Sequence, residues 1–191
     1  EESGKPRGAP EAITTPAPFV AHLGISADGR RIAYSSVLES QNIQMITLDP
    51  ATGSVIGEPA WVTSGSRKWS SPDVTADGRS VAFYSRGEPE GHLYVMHADG
   101  TGLRELTSDT AKDRVPRWSP SGEWLSFFST RAGQFEIWMI RADGSGLRQL
   151  TEAKGVGFSA WAPDGARLAA STVSGVKDRV VLFDPRRPWG A

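Results

Sequence analysis

The segment LYVMHADGTGLRELT, residues 93–107, decides the fold, because its parts recur along the chain. It contains an apolar run, an Asp-Gly turn and a short run that ends in an apolar residue followed by Thr107. The same apolar-threonine pair ends at Thr63 and at Thr151. Asp-Gly between apolar runs predicts a hairpin, because glycine accepts a positive φ and the aspartate side chain can bond its own backbone.

A second turn glycine recurs at steps of 49, 44 and 43 residues, each time ahead of a run in which large and small residues alternate. Such alternation predicts strands, and a period of about 40 to 50 residues built from strands and turns is typical of propeller blades. The sequence therefore predicts an all-β fold, a β-propeller built from four four-stranded blades. The turn glycines are Gly29, Gly78, Gly122 and Gly165.

The repeat motifs resemble those of the TolB-like, WD-type β-propeller family. The resemblance covers about residues 13–183 and is strongest in the second and third units. The first unit departs from it at residues 25–27, and the last unit has Ala170 where an aromatic residue is expected. The resemblance implies a rigid scaffold in the periplasm or outside the cell. The matching motifs are residues 93–107, Trp118-Ser119-Pro120-Ser121-Gly122 and Trp161-Ala162-Pro163-Asp164-Gly165.

The repeat also predicts domain boundaries. Residues 11–15 supply a fourth strand to the last blade or to a missing blade, because Thr14 lies 15 residues ahead of Gly29, as Thr63 lies 15 residues ahead of Gly78. Either this N-terminal strand closes the ring, or the chain is a segment of a larger propeller of about six to eight blades; a homodimer that completes a ring is a further expectation. The boundaries are 1–10 for a flexible linker, 11–185 for the propeller, with units of about 19–63, 66–107, 112–151 and 156–184, and 186–191 for a tail.

Composition narrows the classes of function. The chain has 191 residues, 38% of them hydrophobic, and no cysteine, which excludes disulfides and thiolate metal sites. A net charge of −1 does not favour nucleic acid or anionic membranes as partners. We find no signal-peptide pattern and no apolar run that could span a membrane, so we expect no membrane insertion. We interpret the basic cluster Lys177, Arg179, Arg186 and Arg187 as a solvated end of the chain.

Catalytic motifs are missing from the sequence, so we expect no catalytic residue, metal site or cofactor, and no enzyme activity. The string Gly157-Phe158-Ser159-Ala160-Trp161 does not complete the Gly-x-Ser-x-Gly elbow of hydrolases. The histidines, at positions 22, 92 and 97, lack the spacing of metal ligands.

Charged and aromatic residues in the connections between units predict a binding face. In a propeller, the connections from each fourth strand to the next first strand converge on one face. Arg67 and Lys68 precede Trp69, and sets of cations and aromatic rings are typical of binding surfaces. The candidate residues are Arg67, Lys68, Trp69, Lys112, Asp113, Arg114 and Phe158.

Two functions are consistent with these features. The first is a non-catalytic scaffold that mediates protein or peptide binding, as the sensor or interaction part of a larger bacterial-type chain. The alternative is the propeller gating domain of a prolyl-oligopeptidase-like hydrolase whose catalytic domain is not in this chain. The domain encoded beside this segment would distinguish the two.

Overall fold

All regular secondary structure in the described part of the computed structural model is β-strand. The chain divides into two units, residues 1–39 and 40–191, which we describe separately. In the first unit, β1 (Phe19–Ile25) and β2 (Ile32–Val37) form an antiparallel hairpin. The predicted linker and the predicted strand at 11–15 lie outside the described residues. The described ranges are 19–28, 30–37, 40–87, 91–172 and 179–189.

The second unit begins with a two-stranded sheet and continues with three antiparallel blades whose strands follow chain order. The predicted four-stranded blade is confirmed in the second and third repeats, while the described part of the fourth repeat has three strands. The first sheet consists of β3 (Gln44–Leu48) and β4 (Val55–Trp61). Blade 2 consists of β5 (Trp69–Val74), β6 (Ser80–Ser85), β7 (Leu93–His97) and β8 (Arg104–Glu105). Blade 3 consists of β9 (Asp113–Trp118), β10 (Trp124–Ser129), β11 (Glu136–Arg141) and β12 (Arg148–Gln149). Blade 4 consists of β13 (Val156–Trp161), β14 (Leu168–Thr172) and β15 (Arg179–Phe183).

The Asp-Gly turns close the hairpins through the aspartate side chain, as the sequence predicts. Asp77 Oδ1 accepts hydrogen bonds from the Thr75 hydroxyl at 2.6 Å and from the Arg79 N–H at 3.0 Å. These bonds lower the pKa of Asp77, because they favour the charged carboxylate. Gly78 has a φ of 71°, a conformation that favours glycine. The same bond to the N–H two residues onward occurs at Asp28, Asp49, Asp99, Asp143 and Asp164.

The recurring threonine at the end of each fourth strand closes the blade. Its buried hydroxyl accepts the N–H of a residue at the start of the third strand or just ahead of it, which would otherwise be a buried donor without a partner. The similarly shaped valine would leave this N–H without an acceptor. The pairs are Ile43 to Thr63 at 2.8 Å, Leu93 to Thr107 at 3.0 Å and Ile137 to Thr151 at 2.9 Å.

Neighbouring blades are joined by backbone bonds at equivalent positions. The first residue of each first strand donates its N–H to a carbonyl just ahead of the preceding third strand. Three such bonds repeat along the chain, so the blades of the second unit follow one another with the same offset. The pairs are Trp69 to Gln41 at 2.7 Å, Asp113 to Gly91 at 2.7 Å and Val156 to Phe135 at 2.9 Å.

The hydrophobic core lies mainly between blades. Leu93 of blade 2 packs with Leu125 and Phe127 of blade 3, and all three side chains are fully buried. In the same way, Ile137 of blade 3 packs with Leu168 of blade 4. Burial of each such side chain contributes about 1.5–3 kcal/mol to folding, so the third strand of one blade and the first two strands of the next stabilise one another.

Candidate binding face

We call the end of the blades at which the first strands begin the top face. Because the strands run antiparallel in chain order, the connections β4–β5, β6–β7, β8–β9, β10–β11 and β12–β13 lie at this end. The turns between first and second strands, and between third and fourth strands, lie at the opposite end. The predicted binding residues 67–69 and 112–114 lie at the top face, and Phe158 lies in β13, close to its start.

Arg67 covers an aromatic cluster in blade 2. Its guanidinium carbon lies 5.5 Å from the ring centroid of Trp69 and 5.8 Å from that of Tyr94. Trp69 is 4% exposed and packs edge-on against Phe83 and Tyr94, at centroid distances of 5.1 and 4.9 Å. The Trp69 ring therefore belongs to the core, and Arg67 supplies the exposed part of this predicted pair.

The Tyr94 hydroxyl connects Arg67 to a series of hydrogen-bonded polar groups beneath the top face. It lies 3.0 Å from Arg67 Nη1, from which it accepts, and donates to Glu105 Oε1 at 3.0 Å. His92 Nδ1 lies 2.6 Å from the same carboxylate oxygen, and His92 Nε2 lies 3.0 Å from the carbonyl oxygen of Asp109. Burial and then the hydrogen bond to Glu105 raise the pKa of Tyr94. The series holds the start of β7 against β8 and the loop that follows it.

Asp113 is fully buried and forms an ion pair with Arg131. Arg131 Nη2 donates to Asp113 Oδ2 at 2.7 Å, and Arg131 Nη1 donates to Oδ1. Arg131 Nη2 also contacts Asp109 Oδ2 at 2.7 Å. Burial opposes the charge of Arg131, but its bonds to Asp113 and Asp109 prevail and raise its pKa. Asp113 is thus occupied within the fold, where it anchors the β10–β11 connection.

An aromatic patch extends across blades 3 and 4 at the top face. The guanidinium carbon of Arg114 lies 5.7 Å from the ring centroid of Phe135, and Phe135 packs edge-on against Phe128 at 5.1 Å. Phe128 in turn packs edge-on against Phe158 at 5.9 Å. Phe158 is 65% exposed. We define the aromatic patch as Arg114, Phe128, Phe135 and Phe158.

Lys68 and Lys112 are partly buried and hold the connections in place through their backbones. The Lys68 carbonyl accepts the Arg86 N–H at 2.6 Å, and the Lys112 N–H donates to the Thr130 hydroxyl at 2.9 Å. Lys154, in the next connection, is exposed and has a φ of 58°. The backbone bonds fix the loop that carries Arg67 and the start of β9, which carries Arg114.

The structure brings two of the predicted residues together and separates them from the others. Arg114 and Phe158 share the aromatic patch, whereas Arg67 lies in the separate cluster of blade 2. Phe128 and Phe135 were not predicted from the sequence. The signal for Phe128 was present, because it follows the buried Phe127 in β10 and must point to the other side of the strand.

Elsewhere in the described part of the chain, side chains of the types used in catalysis or metal binding are hydrogen-bonded to one another or are not grouped. The Ser159 hydroxyl is 3.1 Å from that of Ser126, and both residues are buried. Among the described residues, no three His, Cys, Asp or Glu side chains are grouped so that they could hold a metal ion. Within the same ranges, no helix has the length and apolar character needed to cross a membrane.

Antiparallel blades that repeat every 43 to 49 residues and pack face to face define a β-propeller protein. The sequence matches the TolB beta propeller domain family over residues 11–187, and the chain belongs to this family. The resemblance to TolB-like repeats noted in the sequence is thereby confirmed.

Solved structures place the fold among TolB proteins and related propellers. A putative TolB from Agrobacterium tumefaciens is 29% identical, with a TM-score of 0.63 over 85% of this chain and 60% of that one. TolB from Acinetobacter baumannii is 22% identical, with a TM-score of 0.60 over 89% of this chain and 42% of that one. A puromycin-hydrolyzing peptidase from Mycobacterium tuberculosis is 19% identical, with a TM-score of 0.56 over 87% of this chain and 30% of that one. A search of curated proteins found no match.

Proposed function

We propose that this domain is a non-catalytic scaffold that binds a protein or peptide partner through its top face. The observation that carries the proposal is the aromatic patch, in which the exposed Phe158 continues a series of rings that ends under Arg114. Aromatic and arginine side chains dominate the energy of protein interfaces. Arg114, Phe128 and Phe158 lie in β9, β10 and β13, and the Phe135 carbonyl accepts the Val156 N–H, so binding orders little of the protein and costs little entropy.

The chemistry of the top face favours a segment that carries both apolar and acidic side chains. Phe158 offers an apolar contact, and Arg114 offers a cation that is already oriented by Phe135. The carboxylates of Asp113 and Glu136, which lie nearby in sequence, are buried and bonded within the fold. An acidic residue in the partner would complement the guanidinium of Arg114.

We further propose that the domain is the interaction or sensing part of a longer bacterial-type chain, in the periplasm or outside the cell. The chain spans 60% and 42% of the lengths of the two TolB proteins to which it is similar. The second candidate function is a gating domain of a prolyl-oligopeptidase-like hydrolase. The fold that the domain shares with a puromycin-hydrolyzing peptidase supports this candidate. A hydrolase domain encoded next to this segment would favour the second candidate.

A random peptide library displayed on phage tests the proposal. We expect the wild-type domain to enrich sequences that combine acidic and apolar residues. The Arg114→Ala/Phe158→Ala variant should lose this enrichment. The matched control is Arg79→Ala/Leu103→Ala, which removes an exposed arginine and an exposed apolar side chain at the opposite end of the blades. Equal enrichment by both double variants would contradict a top-face site.

A further inference from the structure

Three contacts orient the guanidinium of Arg67 without neutralising its charge. Its carbon lies 5.5 Å from the ring centroid of Trp69 and 5.8 Å from that of Tyr94, and Nη1 donates to the Tyr94 hydroxyl at 3.0 Å. Aromatic rings attract a cation through their quadrupole and carry no net charge. Arg67 is therefore held in place as an exposed cation at the top face.

The backbone on both sides of Arg67 is held as well. The Arg67 carbonyl accepts the Gln41 N–H at 3.2 Å, and the Trp69 N–H donates to the Gln41 carbonyl at 2.7 Å. In the same connection, the Asn42 side-chain amide donates to the Gly65 carbonyl at 3.3 Å. A ligand that binds Arg67 would thus order little of the chain, which reduces the entropy cost of binding.

Most of the donors of this guanidinium are unused within the fold. A guanidinium has five N–H donors, and among the described residues only the Tyr94 hydroxyl accepts one from Arg67. The Glu105 carboxylate lies on the other side of that hydroxyl, from which it accepts a bond, and it also contacts His92. In the described part of the chain, no carboxylate is close enough to Arg67 to form an ion pair with it.

Arg86 places a second exposed arginine beside the first. It follows β6, and its N–H donates to the carbonyl of Lys68, the residue after Arg67, at 2.6 Å. Within the described ranges, the Arg86 side chain has no hydrogen bond or ion pair. Two arginines that are joined through one backbone bond, and that no described carboxylate neutralises, favour an anionic ligand.

We propose that Arg67 and Arg86 form a carboxylate subsite on blade 2, which binds an acidic side chain of the partner peptide. The planar guanidinium presents paired N–H donors that match the two oxygens of a carboxylate. This inference rests on the proposed function and extends it, because the partner then carries two acidic residues. One pairs with Arg114 beside the aromatic patch, and the other pairs with the arginines of the subsite.

Succinate tests the subsite without any peptide. In isotope-labelled domain, titration with succinate at constant ionic strength should shift the side-chain Nε resonances of Arg67 and Arg86 in a saturable manner. Arg67→Lys keeps the charge but loses the paired donors, so the dissociation constant read at Arg86 should rise about fivefold. Tyr94→Phe should also raise it, because the guanidinium loses its hydrogen bond. Arg79, exposed at the opposite end of the blades, is the internal control and should not shift in this way.

A double-mutant cycle tests the acidic residue of the partner. In a peptide enriched by the wild-type domain, each acidic residue is replaced in turn by its amide. The affinity of each peptide is then measured for the wild type, for Arg67→Lys and for Arg114→Lys. We expect one acidic residue to couple to Arg67 and a different one to couple to Arg114. Thermal unfolding of each variant shows whether a change in affinity reflects the site or the fold.

Two outcomes would overturn the subsite. One is an equal, non-saturating shift at Arg67 and Arg79, which would show charge screening only. The other is a set of enriched peptides in which no acidic residue couples to Arg67. The proposed function fails separately: if succinate binds at Arg67 and no peptide depends on Arg114 and Phe158, the carboxylate subsite is supported and the peptide site is not.

Discussion

Arg131 and Asp113 form a two-pronged ion pair, in which the carboxylate is fully buried and 11% of the arginine side chain is exposed. The arginine reaches from the β10–β11 connection to the first residue of β9. Its guanidinium carbon also lies 5.7 Å from the ring centroids of Phe127 and Trp138. The pair therefore connects the top face of blade 3 to its core.

Asp113→Ala should destabilise the domain by about 3–5 kcal/mol, because it leaves a largely buried arginine without its main partner. Arg131→Met in the same background should recover part of this loss, since it removes the unpaired charge. Urea unfolding of the two single variants and the double variant measures the coupling. Strictly additive losses would show that the pair contributes no interaction of its own.

Substitution of Trp69 should mainly reduce stability and substitution of Phe158 should mainly reduce binding, although both residues were predicted from sequence to lie on the binding face. Trp69→Ala should cost about 3–5 kcal/mol of unfolding free energy, because it opens a cavity between Phe83 and Tyr94. Phe158→Ala should change the unfolding free energy by about 0.5 kcal/mol or less and should weaken peptide binding. Thermal and urea unfolding would reveal a comparable loss in both variants if Phe158 were a core residue.

Thr107→Val should destabilise blade 2 by about 1–3 kcal/mol, because the buried N–H of Leu93 loses its acceptor. Thr107→Ser keeps the hydroxyl and is the matched control, with a smaller loss from the missing methyl group. Amide hydrogen exchange at Leu93 gives a local measure. If exchange at this amide is as slow in the valine variant as in the serine variant, the hydroxyl does not close the blade.

The acid sensitivity of the fold should include a contribution from Asp184. The side chain of Arg186, followed by its backbone N–H, lowers the pKa of Asp184 from 3.8 to about 2. A lowered pKa in the folded state adds stability above the unfolded value, and this contribution is lost as the pH falls towards about 2. The urea midpoints of wild type and Asp184→Asn should therefore differ at neutral pH and converge at about pH 2. A constant difference over this range would contradict the assignment.

Local and periodic features of this chain could be predicted from sequence, and contacts between side chains on strands that lie far apart in the sequence could not. The Asp77 turn and the threonine at position 107 act within one blade, so their spacing alone indicates their role. The burial of Trp69 depends on its contact with Tyr94, which lies 25 residues later in the chain, in β7. The contact of Phe128 with Phe158 depends on how blade 4 is placed against blade 3, which backbone bonds between the blades determine.

Amide hydrogen exchange of the domain with and without a selected peptide tests the central claim most directly. The proposed function predicts slower exchange on peptide binding in residues 108–115 and 152–159, and unchanged exchange in the turns at residues 75–79 and 98–103. Protection confined to those turns, or spread evenly over the blades, would contradict binding at the top face.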